Sequence, residues 1–136
     1  MQNLLFKNKK NYSKNSRTIS NDSNSNIMAL IEDDLKLVNS FMISKIKSEV
    51  PLIPLLSKYL VNSGGKRIRA ALTILFSKLF GYNYGSRHIS LSACIELIHM
   101  ASLLHDDVVD ESCLRRGKKT ANKIWGNKAS VLVGDF

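Results

Sequence analysis

Beyond residue 26, apolar residues recur at the spacing of helices. Ile27, Ile31, Leu35, Val38, Met42 and Ile46 follow one another at three- and four-residue steps, which marks one face of an amphipathic helix. Asn26 or Ser25 can cap its start, and Glu32, Asp33 and Asp34 complement the helix dipole in its first turns. Pro51 and Pro54 predict a second, short helix reaching about Val61, stopped by Asn62-Ser63-Gly64-Gly65. A third is predicted from about Lys66 to Phe80, ending at Gly81. Its interior, Ala70–Phe76, is apolar nearly all round, so other helices must enclose it. After a polar loop at 82–86, a long and mostly apolar helix is predicted from Arg87 to Asp110. A loop around Ser112–Lys119 then leads to a last helical stretch near Ala121–Phe136. No period-two alternation persists anywhere, and the pattern predicts an all-α packed bundle.

Residues 1–26 break this pattern. They are rich in Asn, Ser and Lys and show no hydrophobic period, which predicts a disordered extension ahead of a helical domain at 27–136. The extension is basic and nearly free of acids, as organellar transit peptides are. With one arginine and no amphipathic stripe, it reads rather as a flexible extension of a bacterial cytoplasmic protein, the organellar alternative staying open.

Charge changes the picture only through its location. The formal net charge is +9, but residues 1–26 carry five basic groups and one acid, leaving fifteen basic and ten acidic residues for 27–136. Most of the chemically suggestive cations sit in two tight clusters, at 66–69 and 115–119. A nucleic-acid track would be an extended basic stripe interleaved with aromatics, so that class is set aside. Compact cationic clusters beside acidic ones suit a small polyanion bridged by metal. No apolar run reaches the roughly 18 residues that span a bilayer. Cys94 and Cys113 form no CxxC pair, so neither a disulfide framework nor a zinc site is expected.

The chemistry concentrates in three places. Asp106 and Asp110 stand four apart on the long helix, so their carboxylates stack one turn above each other, with His99 on the same stripe. Asp107 is turned about 100° away, close enough to assist or orient. Crowded carboxylates need a cation, and hard oxygen ligands that leave places for water and phosphate oxygens suit Mg²⁺. Acids near a helix C-terminus oppose its dipole, so a purely structural purpose is a poor explanation. Arg115-Arg116-Gly117 follows; two adjacent guanidinium groups turned back toward the carboxylates make a phosphate clamp. Gly64-Gly65-Lys66-Arg67-Ile68-Arg69 puts Lys66 and Arg69 three apart at an expected helix N-terminus, where backbone N–H groups also favour anions. The glycines can equally well end the preceding helix.

In this order, GGKRIRA at 64–70, DDVVD at 106–110 and RRG at 115–117 resemble the trans-polyprenyl diphosphate synthases. The stretch from Leu91 to Phe136 is especially similar to the octaprenyl diphosphate synthase branch. The resemblance covers about residues 30–136 and implies the N-terminal part of an isoprenoid-synthase-type helical bundle. It implies Mg²⁺-dependent condensation of isopentenyl diphosphate with an allylic diphosphate. Asp106, Asp107 and Asp110 would hold Mg²⁺ on the allylic diphosphate, and Arg115 would contact that diphosphate. Lys66, Arg69, His99 and Arg116 would bind isopentenyl diphosphate, and the full-length form would be a homodimer. Ala101 and Ser102 lie about one turn before Asp106, where short-chain relatives carry bulky aromatics. Small residues there imply a long, octaprenyl-range product.

Two departures stand out. Ala70 occupies a position where the family usually has proline. No second DDxxD occurs in these 136 residues, and the chain stops at Val133-Gly134-Asp135-Phe136 without a polar tail. An interrupted synthase, inactive alone, is therefore expected; a non-catalytic partner subunit or a degenerate fragment are the alternatives. A class I terpene cyclase has no use for GGKRIR and RRG. An HD-type phosphohydrolase, suggested by His105-Asp106, would need ligands that His88 and His99 are poorly placed to supply.

Overall fold

A computed structural model describes residues 26–82 and 84–136. The chain divides into two compact units, 1–33 and 34–136. In the first, residues 26–29 form a single helical turn. The disordered-extension and transit-peptide expectations concern residues 1–25, outside the described residues, and Asn26.

The elements that follow are helices, apart from one small hairpin. Helix α1 spans Glu32–Lys45, with the three acids in its first turn, and its stripe residues Val38 and Met42 are buried. Helix α2 spans Leu52–Asn62, entered through Pro51, whose φ of −59° is already helical. Helix α3 spans Ile68–Leu79 and α4 spans Arg87–Val109. Strands β1 (Leu114–Arg115) and β2 (Lys118–Lys119) pair antiparallel, Leu114 opposite Lys119. Helices α5 (Ala121–Trp125) and α6 (Asn127–Asp135) complete the fold. The class is all-α, as the pattern predicts.

Helix α4, about 34 Å long at 1.5 Å per residue, is the central rod. Helix α3 packs along it, α5 and α6 pack against it, and α2 touches α6. Leu56, Leu104, Ala121 and Val133 meet in a buried cluster, with Ile53, Leu60 and Trp125 packed around it. Burying a leucine in this way contributes about 2 kcal/mol. The buried stripe of α4 runs Ile89, Ser92, Ala93, Glu96, Met100, Leu104 and Asp107. Two acids thus lie on the face that points inward, and each needs a partner.

Three expectations are corrected. Helix α3 begins at Ile68 and not at Lys66, because Arg67 adopts a left-handed conformation (φ 46°, ψ 39°) that interrupts helical continuation. The 112–119 loop contains a hairpin. Arg116 (φ 53°) and Gly117 (φ 75°) form its two-residue turn with positive φ at both positions, the arrangement that matches strand twist. The last helical stretch is broken in two by Gly126 at φ 86°, ψ 162°.

Candidate functional site

The inward acids organise the site. Asp107, 3% exposed, is held by Arg115 through a fork of bonds: Nε at 3.0 and 3.1 Å and Nη2 at 2.8 Å from its oxygens. The hydrogen bond to Asp107 raises the Arg115 pKa above its ordinary value. Glu96, 4% exposed, accepts from the Ala70 backbone N–H at 3.2 Å and from Arg67 Nη1 at 3.4 Å. Arg67 also donates through Nη2 to the Val61 carbonyl at 2.8 Å.

The hairpin and the glycine loop are fastened to each other and to α2. Arg116 Nη1 donates to the Gly64 carbonyl, and its guanidinium lies where a side chain at Gly65 would stand. Gly64, at φ 77°, takes a conformation that favours glycine. The Tyr59 hydroxyl donates to the Lys119 carbonyl at 2.7 Å, and Lys118 Nζ reaches the Asn62 carbonyl at 3.5 Å. Thr120 Oγ1 donates to the Ser112 carbonyl at 2.6 Å, and Asn122 Nδ2 to the Asp107 carbonyl at 3.1 Å, closing the C-terminal end of α4.

Between these elements lies a cavity of about 550 Å³. Its walls include Lys66, Arg69, His99, Arg115 and Arg116, together with Arg67, Lys118 and Lys119. Among the described residues, the only acids lining it are Glu96 and Asp107, each already paired with an arginine. The remaining cations give the cavity a strongly positive character, suited to a multiply charged anion. Burial, then the nearby positive charge of Arg69, lowers the His99 pKa and favours the neutral imidazole, which can still donate one hydrogen bond.

Asp106 and Asp110 are exposed and do not line this cavity. At 100° per residue, they and His99 fall within an arc of about 40° on α4, so the predicted stripe exists. Asp107 is brought to Arg115, leaving two carboxylates on the outer face. Among the described residues, no group of three or more His, Cys, Asp or Glu is gathered closely enough to hold a metal. Two exposed carboxylates one turn apart fit a hard cation that takes its other ligands from water and a diphosphate. Ala101 borders a second cavity of about 290 Å³ with Leu97, Leu104 and Val133. Ser102 is exposed and turns its hydroxyl to the Ile98 carbonyl at 3.0 Å.

Sequence reasoning missed Glu96 and Tyr59, and gave no separate role to Arg67, Lys118 or Lys119. Glu96 carried one legible signal, since it precedes His99 by three residues and so shares its side of the helix.

The bundle and its basic cavity belong to the isoprenoid synthase helical fold. A decaprenyl diphosphate synthase from Rhodobacter capsulatus superposes with a TM-score of 0.77 and 46% identity, over 82% of this chain and 34% of that one. A polyprenyl synthase from Caulobacter crescentus CB15, complexed with calcium and isoprenyl diphosphate, does so at 0.76 and 45%, over 80% and 33%. The octaprenyl diphosphate synthase of Escherichia coli (strain K12) is 51% identical over 110 residues, 81% of this chain and 34% of that protein. The family model for polyprenyl synthetase matches residues 50–136, and the chain belongs to that family. It spans about a third of the length of the curated relatives it matches.

Proposed function

We propose that this chain carries one wall of the active site of a Mg²⁺-dependent polyprenyl diphosphate synthase, which condenses isopentenyl diphosphate with an allylic diphosphate into a long prenyl chain. The cavity carries the reading, because it gathers four cations and His99 predicted from separated motifs around one space. Lys66, Arg69, His99 and Arg116 would bind the diphosphate of isopentenyl diphosphate, neutral His99 as a hydrogen-bond donor. Arg115 would meet the allylic diphosphate through the guanidinium N–H groups that Asp107 does not occupy. Asp106 and Asp110 would hold Mg²⁺, with Asp107 acting through Arg115. When bound, the metal would offset the charge that builds on the departing pyrophosphate. The calcium and isoprenyl diphosphate of the Caulobacter relative support the pairing of divalent cation and diphosphate.

Ala101 and Ser102 are small, and the second cavity beside Ala101 is apolar, which supports a long-chain product. The exposed apolar residues Leu72, Phe76 and Phe80 on and just after α3, with Leu91 and Ile98 on α4, support a homodimeric full-length enzyme. No helix among the described residues is long and apolar enough to cross a membrane. With one aspartate-rich motif, the 136-residue polypeptide by itself should show no condensation.

Calorimetric titration with pyrophosphate and Mg²⁺ tests the reading. Wild type should bind, and Arg69→Ala should weaken binding about tenfold, as loss of a charge-assisted contact does. Absence of binding to the folded wild type would refute it. In a complete enzyme carrying this segment, Ala101→Phe should shorten the products; an unchanged product profile would refute the assignment of chain length to this position.

A further inference from the structure

Glu96 is one of two acids in a cavity lined mainly by cations. It is almost fully buried on α4, three residues before His99, and both its oxygens face the Gly64–Arg69 loop. One receives the Ala70 N–H at 3.2 Å, in the first turn of α3; the other receives Arg67 Nη1 at 3.4 Å. Arg67 has a left-handed backbone, φ 46°, and its second nitrogen is tied to the Val61 carbonyl at 2.8 Å. A non-glycine residue holds that conformation only where its surroundings enforce it. Here the Glu96 carboxylate and the Val61 carbonyl hold the Arg67 side chain, and the same carboxylate ties the turn before α3 to the start of α3. Lys66 and Arg69 flank that turn on either side. Ala70 contributes a backbone donor that a proline, usual at this position in the resembling family, could not supply.

We infer that Glu96 is a positioning residue: by clamping Arg67 and the Ala70 amide, it sets the loop that presents Lys66 and Arg69 to the cavity, and thereby the affinity for diphosphate. This rests on the diphosphate reading of the cavity. Simple electrostatics predicts the opposite effect of removing it, since deleting a negative charge from an anion site strengthens anion binding. The sign of the effect therefore separates positioning from charge.

The test is Glu96→Gln, which keeps size and one acceptor but loses the charge that holds Arg67. Pyrophosphate affinity, with thermal melting recorded alongside, should fall about tenfold in a protein that still melts cooperatively. Equal or tighter binding overturns the inference. Amide exchange at Ala70 and trypsin cleavage after Arg67 give a readout without ligand, and both should quicken at least fivefold while exchange in the Leu104 region is unchanged. If wild type binds no pyrophosphate, the diphosphate reading fails and the affinity role of Glu96 falls with it. Quickened exchange at Ala70 would then still support the clamp, and unchanged exchange would overturn that too. Glu96→Asp, charged but one methylene short, is the second variant; if neither variant folds, Glu96 belongs to global stability and the positioning role is wrong.

Discussion

Asp106 and Asp107 are neighbours on α4, yet one faces outward without an ion-pair partner among the described residues and the other is buried against Arg115. The difference is helical phase. A step of about 100° moves a carboxylate from the exposed side of the helix, where Asp110 also sits, to the inward stripe shared with Glu96 and Leu104. The outer acids keep their oxygens open and suit a cation. The inward acids are consumed in holding arginines, and those arginines shape the anion cavity. On the proposed function, the motif combines two devices side by side, one for metal and one for architecture.

Removing the inward acid should have the largest effect. Asp107→Ala leaves Arg115 unpaired and should destabilise the fold by about 2 kcal/mol, less than the roughly 3–5 of a fully buried pair because the Arg115 side chain is 37% exposed. Asp106→Asn should change stability by less than about 0.5 kcal/mol. Denaturant melts of the two variants decide, and equal losses would erase the distinction. For the outer acids the sensitive quantity is metal-assisted binding. The double change Asp106→Asn, Asp110→Asn should abolish the gain in pyrophosphate affinity that Mg²⁺ confers on wild type while leaving metal-free binding within about twofold. Loss of metal-free binding instead would place these aspartates in the anion cavity.

The smallest effect concerns His99. Its folded pKa lies below the ordinary 6.5, chiefly through burial and then through Arg69. The unfolded chain therefore binds the proton more readily, so the contribution of His99 is present above pH 6.5 and is lost as pH falls through the folded value. His99→Gln should flatten the fall in stability below pH 6.5, measured by thermal melts across pH. Pyrophosphate should move the His99 titration upward in NMR, because a bound anion favours the imidazolium.

Much of this was legible in the sequence because it is local. The proline-led start of α2, the extent of α4 and the stacking of Asp106 on Asp110 follow from periodicity and from caps a few residues away. The basic clusters and their order pointed to the diphosphate chemistry. The turn at 116–117 and the break at Gly126 each carried a glycine as a hint, but a helical pattern on both sides of Gly126 masked its break. Arg67 had no such hint, since nothing within its own loop calls for a left-handed arginine.

What the sequence determined by itself is therefore the all-α class, the positions of its long helices and the residue types available for anion and metal. Only the tertiary structure decided which of those residues face one another. Glu96 reaches Arg67 across 29 positions of chain, and Arg116 reaches Gly64 across 52. Periodicity sets the phase of a side chain on its own helix. The partner it meets depends on how helices and hairpin pack, and burial then obliges each inward charge to find one.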